Sequence, residues 1–115
     1  MITIYGIKTC DTVRKALKWA DENGLNSQFN DFRKDPVSNE LIRKWDNAVG
    51  RDVLVNKKGT TYRKLSDEEK RLLEGEGAFD LLAQQPTLMK RPVFESGDKI
   101  VVGFKEEQQQ AVLEF

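Results

Sequence analysis

Cys10 is the only cysteine in the chain, and the sequence contains no histidine. These two facts narrow the available chemistry. Ser-His-Asp and Cys-His catalysis are excluded, and most zinc sites lack their ligands. A thiol nucleophile would have to be activated by other means. Cys10 follows the β-favouring run Ile2-Thr3-Ile4-Tyr5, which Gly6 ends, and it precedes a helical pattern opening at residue 11. A helix start presents unpaired backbone N–H groups and the positive end of the helix dipole, and both favour a thiolate. This matters because a free cysteine, with a pKa near ~8.5, is mostly protonated at neutral pH. Lys8 lies just upstream and Arg14 one turn downstream, where each could add positive potential; Asp11 opposes them. An isolated cysteine is often only a small buried hydrophobe. The loop Gly6-Ile7-Lys8-Thr9, however, is not a core context.

Val13 occupies the place where a CxxC motif would have its second thiol, so a dithiol mechanism is unavailable. After attacking an oxidised substrate, Cys10 would need an external thiol to resolve it. Glutathione is the natural candidate in a reducing cytoplasm.

The elements that must position this residue follow from periodicity. Val13, Ala16, Leu17 and Ala20 form one apolar face of a helix over 11–23, stopped by Asn23-Gly24. A second strand over 28–32 completes a βαβ unit. Pro36 and Ser38 can start a helix carrying Leu41, Ile42 and Trp45 on one face, and Gly50 closes it. A basic stretch around Lys57-Lys58-Gly59 follows, and Ser66 with Glu69 has the capping-box form that introduces helical residues to about 73. Phe79, Leu82 and Ala83 fit a short helix ending near Pro86. Val93-Phe94-Glu95 and Ile100-Val101-Val102 flank a turn and read as an antiparallel hairpin. A last helix from about 105 uses Ala111 and Val112 for packing. The expected fold is α/β, with thioredoxin topology: one domain over 1–115, with a helical insertion over about 36–86 between its βαβ and ββα parts.

Composition bounds the setting. Lys plus Arg total 19 and Asp plus Glu total 19, so the 115 residues carry no formal net charge. That balance gives no overall pull toward nucleic acid or an anionic membrane. No secretory leader or long apolar run is visible, and a lone cysteine argues against a disulfide-stapled secreted domain. A cytoplasmic monomer is expected, with no direct nucleic-acid contact, no membrane contact and no bound cofactor or metal.

The run from Ile2 to Ala16, with Gly6-Ile7-Lys8-Thr9-Cys10 at its centre, resembles the opening of the arsenate reductase-like family. Pro86-Thr87-Leu88-Met89-Lys90-Arg91-Pro92-Val93 is similar to that family's later signature, which ends in Arg-Pro and a hydrophobic residue. With Val102-Gly103-Phe104 the resemblance extends along essentially the whole chain, and it is strongest to the YffB-type branch. The family also includes glutaredoxin-coupled arsenate reductases and Spx-type transcription regulators. The resemblance implies a thioredoxin-like fold and a catalytic Cys10. It groups Lys8, Thr9, Arg14, Arg91 and Pro92 as thiolate-stabilising or substrate-binding residues, with Pro92 after a cis peptide bond. A guanidinium at Arg91 can bind a carboxylate or oxyanion with two parallel hydrogen bonds.

The sequence also departs from the family pattern. Arsenate reductases are expected to grip their oxyanion with further arginines, and the corresponding places fall near Asn56 and near Gly103, neither of which has one. Lys57, beside Asn56, could help form an anion or glutathione pocket, but lysine does not reproduce bidentate geometry. Three readings follow. The first is a glutathione-dependent thiol reductase acting on an undetermined disulfide or oxyanion, with glutathione as co-substrate and glutaredoxin as a further partner. The second is a glutaredoxin-coupled arsenate reductase. The third is an Spx-type regulator binding RNA polymerase, although the CxxC switch that many such regulators carry is absent here. Beyond these three, a catalytically inert interaction protein would use Trp19, Trp45 and Phe79 as partner contacts.

Overall fold

The computed structural model describes every residue from Met1 to Phe115. In chain order the elements are β1 (Ile2–Gly6), α1 (Asp11–Glu22), β2 (Ser27–Asp31), α2 (Asn39–Val49), α3 (Arg51–Leu54), α4 (Thr60–Arg63), α5 (Asp67–Leu72), α6 (Ala78–Gln84), a 3₁₀ turn (Pro86–Leu88), β3 (Val93–Ser96), β4 (Lys99–Val102) and α7 (Glu106–Leu113). They form two compact units. One joins Met1–Asp35 to Arg91–Phe115, and the other is Pro36–Lys90.

The first unit is built on a four-stranded sheet in the order β2-β1-β3-β4. β1 runs parallel to β2 and antiparallel to β3, which forms a hairpin with β4. This is the thioredoxin-like α/β arrangement, with the helical insertion between β2 and β3. Strand alternation sends Ile2 and Ile4 to one face, and Phe94 lies opposite Ile4 in register. They pack with Ala16 and Ala20 of α1 and Val112 of α7, while Trp19, Phe29, Val101 and Phe104 close the periphery. Burying each large apolar side chain in such a cluster is worth about 1.5–3 kcal/mol, which outweighs the modest helix propensity of either helix alone.

Gly6 sets how closely α1 approaches β1. A Cβ there would stand 2.6 Å from Val13 Cγ2, so only glycine permits this contact. Asn23 ends α1 by donating its side-chain N–H to the Trp19 carbonyl at 2.8 Å, and Gly24 follows at φ 65°. In the hairpin, Gly97 at φ 60° supplies the turn that pairs Ser96 with Lys99.

The second unit is helical. Ser38 caps α2 by accepting from the Leu41 N–H at 3.1 Å, and Ile42 and Trp45 are completely buried. Gly50, at φ 89°, ends α2 as expected. The chain then enters α3 and, after Lys57-Lys58-Gly59, α4. These two helices were not anticipated, because four residues are too few to display a period. Both bonds of the Ser66–Glu69 capping box form. Pro86 does more than end α6: it opens the 3₁₀ turn, where its missing N–H costs nothing. Arg51 links the unit together. It grips the Asp46 carboxylate with two nitrogens, at 2.9 and 3.2 Å, and donates to the Leu73 carbonyl at 2.6 Å.

The three aromatics offered as partner contacts are structural. Trp45 and Phe79 are buried, and Trp19 stacks edge-on against Phe94 and Phe104 at centroid distances of 6.1 and 5.5 Å. No helix is long and apolar enough to cross a membrane.

Candidate active site

Cys10 stands at the N-cap of α1 with extended backbone angles, φ −79° and ψ 125°. Its N–H donates to the Ile7 carbonyl at 3.0 Å, closing a tight turn, and its own carbonyl accepts the first helical bond from the Arg14 N–H at 3.0 Å. The side chain makes no capping hydrogen bond to the helix. The thiol is free and partly exposed. The backbone thus brings the thiol to a helix end whose first N–H groups favour negative charge, without using it as a structural cap.

The loop before Cys10 is tied down from β2. The Asp31 carboxylate is buried, and three backbone N–H groups converge on it: Lys8 at 3.2 Å, Arg33 at 3.0 Å and Lys34 at 3.3 Å. Burial by itself would raise the Asp31 pKa. The three N–H groups, helped by the Arg33 charge, outweigh it and hold the carboxyl below its ordinary value. Arg33 then reaches back, its Nη2 donating to Thr9 Oγ1 at 3.4 Å. Arg14 is folded onto the same loop. Its Nε donates to the Lys8 carbonyl at 3.1 Å, and its Nη1 lies 3.5 Å from Asp11 in an exposed pair of little energetic weight.

Arg91 and Pro92 arrive from the far end of the chain. The peptide bond between them is cis, as the resemblance implies. Tyr5 pairs with Val93, so this dipeptide enters the sheet beside the end of β1 that feeds the Cys10 loop. The Pro92 carbonyl accepts from the Gly103 N–H at 2.9 Å. Gly103 itself has φ 108°, a conformation that side-chain-bearing residues rarely adopt.

The structure therefore places Lys8, Thr9, Cys10, Arg14, Arg91 and Pro92 in one unit, around the end of the sheet where β1 finishes and β3 begins. Asn56 and Lys57 belong to the other unit. There Lys57 lines a cavity of about 190 Å³ with Arg51, Tyr62 and Lys70. Asn56 is not among its walls: Asn56 Oδ1 accepts from the Lys58 N–H at 3.2 Å, closing its own turn. The two residues expected to share a pocket thus separate, because neighbouring residues in a tight turn point different ways.

Asp31 and Arg33 were missed by the sequence reading. A usable signal existed. Parallel strands joined by a right-handed crossover end at the same edge, so the residues following β2 had to neighbour those following β1.

Residues 5–112 match the ArsC family. The chain belongs to that family. Among curated ArsC-like relatives, an uncharacterised protein of Haemophilus influenzae is 42% identical, over 96% of this chain and 97% of its own length. The global transcriptional regulator Spx of Listeria innocua is 25% identical over 94% of this chain and 83% of its own. Among solved structures, the protein YFFB superposes with a TM-score of 0.90 and 38% identity, covering 98% of this chain and 99% of that one. An arsenate reductase (ArsC) related protein from Brucella melitensis gives a TM-score of 0.76 and 37% identity, covering 99% and 95%.

Proposed function

We propose that this ArsC-family chain is a glutathione-dependent thiol reductase in which Cys10 is the nucleophile. The observation that carries the reading is the position of Cys10. It is a partly exposed free thiol at a helix start, uninvolved in capping, on a loop bordered by Lys8, Arg14 and Arg33. With an oxidised disulfide as substrate, the Cys10 thiolate attacks one sulfur. A mixed disulfide forms, the substrate S–S bond breaks, and the departing thiolate takes the electron pair and then a proton. One glutathione thiolate displaces the second substrate thiol, leaving Cys10 joined to glutathione. A second glutathione frees Cys10 and leaves as glutathione disulfide. The balance is one disulfide reduced and two glutathione molecules oxidised. Arg91, at the cis-proline edge, has the guanidinium geometry to orient a carboxylate of either reactant.

Arsenate reduction stands behind this reading. One of the two places where further arginines were expected is Gly103, whose positive φ disfavours any side chain. The other holds Asn56, in the insertion unit. The regulator reading is favoured by the likeness to Spx, and measured binding to RNA polymerase would support it.

The test is turnover of a low-molecular-weight mixed disulfide in the presence of glutathione, followed as glutathione disulfide formed. The wild-type chain is expected to turn over and Cys10→Ser to fall to the uncatalysed background. Equal rates for the two proteins would remove the reading.

A further inference from the structure

We propose that Arg33 is a specificity residue: its guanidinium recognises the carboxylate of a small anionic thiol or disulfide as that molecule reaches Cys10. The inference rests on Cys10 acting as a nucleophile. Arg33 lies twenty-three residues downstream of Cys10, yet a closed circuit of hydrogen bonds holds it to the Cys10 loop. Asp31 Oδ2 accepts from the Lys8 N–H, and Asp31 Oδ1 accepts from the Arg33 N–H, so one carboxylate fixes both turns. The circuit closes where Arg33 Nη2 donates to Thr9 Oγ1, on the residue before the cysteine.

Charge decides what such an arrangement can do. The Asp31 carboxylate is hydrogen-bonded by the three backbone N–H groups and feels the Arg33 charge only through space, while the side-chain hydrogen bond of Arg33 goes to a neutral hydroxyl. The guanidinium is exposed, keeps donors to spare, and presents them in the planar fork that suits a carboxylate. A structural arginine is usually covered or bound to a carboxylate, as Arg51 is by Asp46. Arg33 instead carries its positive charge to the rim of the thiol loop, where an approaching anion would meet it.

Two disulfide probes that differ in charge test this directly. One is the dicarboxylate bis(nitrobenzoate) disulfide, and the other is neutral dithiodipyridine. With either, Cys10 sulfur forms a new S–S bond, the probe's S–S bond breaks, and a chromophoric thiol or thione is released. At low ionic strength, Arg33→Gln is expected to lower the ratio of the dicarboxylate rate to the neutral-probe rate by about 2–5-fold, so that any general change in the thiol cancels. Added salt should shrink the wild-type advantage, because the charges involved are exposed. The neutral probe also reports that the variant's thiol is intact, and its circular dichroism spectrum reports that it is folded. Equal slowing of both probes, or of neither, overturns the role of Arg33 while leaving Cys10 as a nucleophile. If the wild-type thiol fails to react even with the neutral probe, the reductase reading falls and this inference falls with it.

Discussion

Asp31 and Lys8 are joined across 23 residues of sequence by a single hydrogen bond, the Lys8 N–H donating to Asp31 Oδ2 at 3.2 Å. Through it, the end of β2 fixes the loop that ends in Cys10.

Removing that acceptor should loosen the loop and the fold together. Asp31→Ala leaves the Lys8, Arg33 and Lys34 N–H groups without their partner, which is expected to cost about 1–3 kcal/mol. Urea unfolding at neutral pH measures it. The pH dependence has a definite sign. Because the folded-state carboxyl lies below its ordinary value of 3.8, its stabilisation is fully present above that value and is lost as pH falls through the lower folded one. Asp31→Asn should therefore flatten the acid limb of the stability curve. An unchanged acid limb in Asp31→Asn would contradict the assignment.

Tyr5 offers the complementary test at high pH. Burial first, then the charge and hydrogen bond of Glu95, push its phenol up to about 12 from an ordinary 10.0; the hydroxyl donates to Glu95 Oε1 at 3.0 Å. A folded pKa above the unfolded one gives stability that is complete below 10.0 and lost as pH rises through about 12. In a Tyr62→Phe background, phenolate absorbance should rise only toward the upper value. A midpoint near the ordinary one would show that Glu95 and burial do not act as described.

Gly6 and Val13 should be strongly coupled. In Gly6→Ala the new methyl meets Val13 Cγ2 at 2.6 Å, and valine is too stiff to swing aside, so a loss of about 1–3 kcal/mol is expected. Val13→Ala creates room, at the cost of its own cavity. The double variant should then lose less than the sum of the two, by at least about 0.5 kcal/mol in denaturant midpoints analysed as a cycle. Strict additivity would mean that α1 does not press on β1 at this point.

Much of this architecture was legible beforehand, for physical reasons that differ by element. The α1 face of Val13, Ala16 and Ala20 repeats at helical spacing, and the Ser66–Glu69 box is a local signal that needs no tertiary information. The Gly97 turn between two β-favouring runs likewise states its own geometry. α3 and α4 left no such trace. Each is a single turn of four residues, held by neighbours and not by periodicity: α3 by the Asp46 and Leu73 partners of Arg51, α4 by the hydrogen bond between the Thr61 and Thr87 hydroxyls. At the candidate site, the placing of Cys10 could be read from adjacent residues. Asp31 and Arg33 carry no local signal of their own; only the topology pointed to them, because the residues after β2 neighbour Lys8 and Thr9 once β1 and β2 lie side by side.

The strand order has a further consequence. β1, made before the other three strands, sits in the interior of the sheet, and one of its two neighbours, β3, is made only after the whole of Pro36–Lys90. A nascent chain that has emerged only as far as Lys90 therefore carries its thiol loop on a strand with one flank bare, a sticky edge open to the wrong partner. Only the closing hairpin covers that flank, and it is the same hairpin that delivers Arg91 and Pro92. Completion of the sheet and the arrival of Arg91 and Pro92 beside the Cys10 loop are thus a single event in the life of the polypeptide.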